Sequence, residues 1–232
     1  AREKFVEEIY ALIEQHDGVL ILEPCNEFMV SFIYASDAIS CANSIQKMLH
    51  TSQEKHEYIM AISSGRPVDE QGDNMFEQTK KKVKSLCSLG LLGKIYLDKE
   101  SQLLSKKEQR NTEIDPNSIA VIDGQNIKLA LELSSVLTGN MVHSNFSSKD
   151  LTRILGMSKS QTYRNIQSLT GMAPNRLIQE SRLQKALYYL DQGKKTVAEI
   201  AYESGFNSPT YFTRVFKQRF EVSPSNFIKK QI

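Results

Sequence analysis

Gly156-Met157-Ser158-Lys159-Ser160-Gln161-Thr162-Tyr163-Arg164 is echoed further along the chain by Gly205-Phe206-Asn207-Ser208-Pro209-Thr210-Tyr211-Phe212-Thr213-Arg214. Ser158 and Ser208, Arg164 and Arg214, Ile166 and Phe216, and Pro174 and Pro224 are each 50 positions apart, while the leading glycines are 49 apart. The slip of one residue falls in the turn, where a change of length costs least. Each copy reads as two short helices around that turn. In the second, Thr196 and Glu199 have the spacing of a capping box, in which hydroxyl and carboxylate each satisfy an orphan amide of the first helical turn. Val197, Ile200 and Ala201 give the helix an apolar stripe. Gly205 supplies the positive φ after it, and Ser208-Pro209 reads as N-cap and first residue of the next helix. That next helix buries Phe212, Val215 and Phe216 and leaves Pro209, Thr210, Tyr211, Arg214 and Lys217 toward a partly basic outer side. The first copy repeats the logic. Leu151, Ile154 and Leu155 after Ser148 form an inward stripe, Gly156 turns the chain, and Ser158 with Gln161 makes a second box. Ser160, Tyr163 and Arg164 then project beside the buried Ile166 and Leu169. Between the copies, Pro174 to Leu190 is predicted to be one long amphipathic helix with Leu177, Ile178, Leu183, Ala186, Leu187 and Leu190 inward.

Over roughly residues 140 to 230, with "RLQKALYYL" and "TVAEIAYESGFNSPTYFTRVFKQRFEVSPSNF" carrying the likeness, the chain resembles the DNA-binding domain of AraC-type transcription regulators. The resemblance implies an all-α unit with two helix-turn-helix motifs, whose second helices enter adjacent major grooves of double-stranded DNA. It makes Ser160, Gln161, Tyr163 and Arg164 in the first motif, and Pro209, Thr210, Tyr211, Arg214 and Lys217 in the second, the expected DNA-facing residues. Pro209 departs from the polar residue often found there; its side chain has nothing to donate to a base, which shifts readout onto Thr210, Tyr211, Arg214 and DNA shape.

Charge follows the same division. From residue 137 onward there are 14 lysines and arginines against six acids, a net +8, while residues 1–136 hold 15 against 21, a net −6. A basic unit attached to an acidic one fits salt-sensitive binding of phosphate backbones by the C-terminal part. A chain of 232 residues holds two compact domains, expected as 1–136 and 137–232, with the join near Ser135 to Ser144 in the small and polar stretch "SSVLTGNMVHSN". Cys25, Cys41 and Cys87 are odd in number and lack CxxC spacing, which points to a reducing compartment and core thiols. No run of 18 apolar residues occurs and the start does not read as a signal peptide; the expectation is a cytoplasmic protein with no membrane partner.

The N-terminal part alternates helix and strand. Helices are predicted over 4–16, 36–49 and 76–89, strands over 18–22, 28–32, 58–63 and 94–97, and a last hairpin over 118–122 and 127–133 turning at Asp123-Gly124. Helices mixed with hairpins imply an α+β sandwich. With "HDGVLILEPCNEFMVSF", "SDAISCANSIQKML", "AISSGRPV" and "NMFEQTKKKVKSLCSLGLLGKIYLD" in this order, residues 5 to about 135 resemble the class III nucleotidyl cyclase catalytic domain, which implies a ferredoxin-like, cyclase-like sandwich that works as a dimer. The catalytic set is not carried over. Asn26 stands at a metal aspartate position, Leu22 at the substrate-base lysine, and Lys81 and Ser85 at the Asn/Arg pair. A neutral amide holds a divalent cation poorly, since much of the binding comes from ligand charge. The expectation is therefore a domain with no catalytic residue, no metal and no cofactor, serving homodimerisation and the sensing of a small-molecule or nucleotide effector. RNA polymerase is a further expected partner, and an active cyclase or nucleotide sensor fused to a DNA-binding tail is the rival reading. Thr79 to Leu86, "TKKKVKSL", reads either as a phosphate patch or as a solvated lysine face. Arg66, Asp17, Glu23, Glu27 and the scattered histidines offer no shared face or ligand spacing.

Overall fold

The computed structural model describes residues 2–22, 27–52, 57–65, 76–89, 92–108 and 117–229, and the chain divides into two compact units, Ala1–Leu131 and Glu132–Ile232. In the first unit, α1 (Arg2–Gln15) leads into the strands β1 (Val19–Leu22) and β2 (Met29–Ser31), which pair antiparallel. Then come α2 (Ala35–Thr51), β3 (Ile59–Ile62), α3 (Glu77–Leu89), β4 (Lys94–Asp98), α4 (Lys99–Lys107), β5 (Ile119–Ile122) and α5 (Gly124–Asn140). Strands β3, β4 and β5 lie side by side in that order, all parallel. Helix α2 serves two cores. Ile39 and Ala42 pack with Ile95, Leu97 and Ile119 of the parallel sheet, whereas Cys41, Ile45 and Met48 pack with Ile9 and Ile13 of α1 and with Phe28, Val30 and Phe32.

Two expectations are corrected here. Residues 127–133 are not the second strand of a hairpin but part of α5. Asp123 acts as a helix cap rather than a turn residue, its carboxylate accepting from the Asn126 amide at 2.8 Å. Leu129, Leu133 and Leu137, four apart and all buried, then form a helical stripe. Of the stretch expected to hold the join, residues 134–140 are the end of α5, which continues through Asn140. Among the described residues the strands form a two-stranded antiparallel ribbon and a three-stranded parallel sheet, mixed α/β content rather than the single ferredoxin-like sandwich expected. Parallel strands need crossovers, which α3 and α4 provide; α4, absent from the sequence reading, begins at Asp98, whose carboxylate accepts from the Ser101 amide.

The second unit is helical throughout: α6 (Ser148–Ile154), α7 (Lys159–Thr170), α8 (Pro174–Gln192), α9 (Val197–Glu203), α10 (Pro209–Phe220) and α11 (Pro224–Lys229). The predicted central helix is α8, begun by Pro174 at its first position and closed by Gly193 at φ 62°. Its Leu177, Ile178, Leu183, Ala186 and Leu190 are buried. Leu183, Ala186 and Leu190 share a core with Ile200, Ala201, Phe206, Phe212, Val215 and Phe216. Around Phe216, rings of Phe212, Phe220 and Phe227 stand with centroids 4.6 to 6.1 Å away, tilted or edge-on as aromatic pairs prefer.

Candidate nucleic-acid interface

Helices α6 and α7 make one helix-turn-helix, α9 and α10 the other, and their turns are bonded alike. In the first, the Gly156 amide donates to the Arg153 carbonyl and the Met157 amide to Thr152; in the second, Gly205 donates to Tyr202 and Phe206 to Ala201. Both glycines have positive φ, 63° and 88°, so the matched turns need the residue that adopts this backbone without strain. All three first-turn boxes have a polar side chain reaching back to the cap amide. Gln161 accepts from Ser158 at 3.0 Å, Glu199 from Thr196 at 2.8 Å, and Asp150 from Ser147 at 3.1 Å. The cap of α6 is therefore Ser147, one residue before the serine singled out in the sequence. Hydrogen bonds from Ser147 hold the Asp150 carboxyl below its ordinary range, and those from Thr196 do the same for Glu199.

Each second helix buries one side and exposes the other. Helix α7 hides Thr162, Ile166 and Leu169 and leaves Ser160, Gln161, Tyr163 and Arg164 exposed. Helix α10 hides Phe212, Val215 and Phe216 and leaves Thr210, Tyr211, Arg214 and Lys217 exposed, with Pro209 half-buried at the first helical position. The sequence-predicted residues thus fall on two outward faces, one per motif. Ile154, expected inward, is instead exposed, because α6 ends there and turns with Leu155.

Sequence reading missed three polar residues of α8 that make tertiary hydrogen bonds, two of them to the second motif. Glu180 takes the Arg219 Nε on both carboxylate oxygens, at 3.1 and 3.0 Å, with both side chains only about 15% exposed. Gln179 Oε1 accepts from the Tyr211 hydroxyl at 3.3 Å. Arg182 donates to the carbonyls of Met141, His143 and Phe146 at 2.8 to 3.2 Å. Nothing in their spacing distinguishes these polar residues from the solvated side of an amphipathic helix; only tertiary contact does.

The helix-turn-helix domain family model matches residues 151–230. Those residues are a helix-turn-helix domain. The HTH-type transcriptional regulator MtrA of Neisseria gonorrhoeae is 35% identical over 74 residues, 32% of this chain and 25% of that protein. Histidine kinase P4 of Formosa agariphila is 32% identical over 126 residues, 53% of this chain and 9% of that protein. This chain therefore spans only a small part of the curated relatives it matches. A solved structure described as an AraC-type DNA-binding regulator from Chromobacterium violaceum is 25% identical, covering 43% of this chain and 88% of its own at a TM-score of 0.40.

In the first unit the polar residues gather at the carboxyl ends of β3 and β4. Asp98 is buried, accepts from Ser63 and Ser101, and pairs with Lys82 at 3.0 Å. Burial disfavours its charge, yet hydrogen bonds from Ser101, Ser63 and Lys82 outweigh that and hold the carboxyl below its ordinary value. Lys82, the middle of the lysine run, is thereby engaged with the protein's own carboxylate. Lys81 is exposed and Ser85 buried on α3, and Asn26, Cys25, Glu23 and Arg66 lie outside the described residues. Burial pushes the Cys41 thiol up to about 11 and the Cys87 thiol up to about 12, the latter with help from Glu27, which disfavours the thiolate at both. Among the described residues no group of three His, Cys, Asp or Glu side chains is placed to hold a metal, and no helix is long and apolar enough to cross a membrane.

Proposed function

We propose that the chain is a sequence-specific, non-enzymatic transcription regulator whose α7 and α10 enter two adjacent major grooves of double-stranded DNA. The supporting observation is the repeat itself. Two turns bonded through the same atoms 49 residues apart each present an exposed helix face with one arginine at the matched position. An arginine fork suits guanine edges or phosphate oxygens, and Ser160, Gln161, Tyr163, Thr210 and Lys217 supply the neighbouring hydrogen bonds. The basic balance from residue 137 onward adds sequence-independent attraction by counterion release.

The N-terminal unit serves, in this reading, to join two copies and to take up a small-molecule or nucleotide effector. Its support is a set of apolar side chains left in water on and just after the ribbon: Val19 and Ile21 of β1 are exposed, and Ile33 beyond β2 by 89%. Sedimentation of the intact chain tests it, a dimer at micromolar concentration supporting the role and a monomer removing it. For DNA binding, Arg164→Ala and Arg214→Ala are each expected to weaken binding to a selected site by roughly 1–3 kcal/mol, while weakening binding to unrelated DNA far less. Titration of labelled duplexes at two salt concentrations checks this. Equal losses on every sequence would reduce both arginines to phosphate contacts.

A further inference from the structure

The third helical position of the two recognition helices is filled differently, and the difference bears on the arginine three residues later. In α7 that position is Gln161, whose side chain turns back to accept from the Ser158 amide. In α10 it is Tyr211, and the cap works without it: Ser208 Oγ accepts from the Tyr211 amide at 3.3 Å, leaving the phenol free of capping. The ring lies under the Arg214 guanidinium, 5.2 Å from its centroid, and beside the ring of Phe206 at 6.2 Å. Its hydroxyl donates to Gln179 of α8. One side chain thus touches the base-facing arginine at one end and the central helix at the other.

Among the described residues Arg214 has no carboxylate partner, whereas Arg219 on the same helix has its fork occupied by Glu180. Arg164 has neither an aromatic ring beneath it nor an ion pair among the described residues. An arginine resting on a ring keeps its charge and its donors available while losing rotamer freedom before binding. Three residues apart on a helix is the spacing at which side chains meet.

We infer that Tyr211 is a positioning residue: it holds Arg214 in its reading orientation and fixes that orientation to α8 through Gln179, instead of contacting DNA itself. This rests on the DNA-binding reading of α10. It makes the second motif the one with a preset arginine and the first the one whose arginine orders on contact.

The test uses the intact chain as wild type, Tyr211→Phe, Tyr211→Ala, Arg214→Ala and the Tyr211→Ala/Arg214→Ala double variant. Two readouts are taken: the order of the Arg214 Nε–H in free protein by nitrogen-15 relaxation, and affinity for a panel of duplexes that vary each base of the selected site. Tyr211→Phe keeps the ring but removes the hydroxyl bond to Gln179, and is expected to keep part of the Arg214 order and base preference, between wild type and Tyr211→Ala. Tyr211→Ala is expected to lose Arg214 order and, at the bases that Arg214→Ala also blurs, roughly tenfold in preference. The double variant is expected to bind no more weakly than Arg214→Ala alone. An Arg214 equally ordered in Tyr211→Ala, or a further several-fold loss in the double variant, would overturn the inference, the second by making Tyr211 a DNA contact. If wild type selects no sequence, the DNA-binding reading fails, and the relaxation measurement alone decides whether Tyr211 holds Arg214.

Discussion

Gly156 and Gly205 close the same turn, yet a Cβ built on the first meets nothing within 4 Å, and on the second it would lie 2.0 Å from the Met141 carbonyl oxygen and 2.9 Å from Arg182 Nε. The first motif has an open turn and buries Leu151, Ile166 and Leu169. The second is built into its surroundings. Its turn glycine is pressed against the 141–146 segment, its reading helix is bonded to Gln179 and Glu180, and its aromatic cluster runs on to Phe227. A sequence repeat reproduces the turn and the exposed face, but the depth of anchoring is decided by what surrounds each copy.

The comparison can be broken most forcefully at the glycines. Gly205→Ala combines left-handed strain with a backbone clash and is expected to lower stability by about 3 kcal/mol or more, whereas Gly156→Ala carries only the strain, about 1–2 kcal/mol. Chemical denaturation of the intact chain, followed by circular dichroism, measures both. Equal losses would mean that the crowding at Gly205 relaxes freely and that the two turns are equivalent.

A smaller effect is expected at the ion pair. Arg219→Ala leaves the Glu180 carboxylate half-buried beside Gln184 and should destabilise by about 1–3 kcal/mol, between the values for exposed and fully buried pairs. Among the described residues no ion pair links α7 to α8, so the first motif has no counterpart to remove. A denaturation midpoint unmoved by Arg219→Ala would show that the aromatic cluster alone anchors α10.

The smallest effect sharpens a likeness. The boxes of α6 and α9 use carboxylates, and that of α7 uses Gln161. Since the Thr196 hydrogen bonds lower the Glu199 value in the folded protein, its stabilisation is complete above the unfolded-state value and is lost as pH falls through the folded one. Glu199→Gln imitates the α7 box. It should change the midpoint little near neutral pH and flatten its decline below about pH 4.5; an unchanged acid decline would place that sensitivity elsewhere, Asp98 and Asp150 being the other lowered carboxyls.

The second unit was legible because its signals are local. Thr196 with Glu199, Ser158 with Gln161, Ser208-Pro209 and the turn glycines each specify a boundary from neighbouring residues, and the helices start and stop where these say. The long apolar spacing from Leu177 to Leu190 gave α8 for the same reason. In the first unit the ribbon and the helices α1 to α3 were also readable from periodicity, whereas α5 was not. Asp123-Gly124 serves hairpin turns and helix caps equally, and the helical stripe shows only when followed on to Leu137. That β3, β4 and β5 pair in parallel is a long-range choice no short window contains. At the candidate interface the outward residues followed from facing apolar positions, but Gln179, Glu180 and Arg182 carry no local mark, and Tyr211 reads alike as a DNA contact and as packing against a neighbouring helix.

The most direct measurement is selection of bound duplexes from a random pool by the intact chain, with Arg164→Ala and Arg214→Ala in parallel. Two working motifs predict an enriched site with two parts about 10 base pairs apart, each arginine variant blurring a different part. A single-part site, no enriched site, or two variants that blur the same bases would contradict a protein that reads DNA with both α7 and α10.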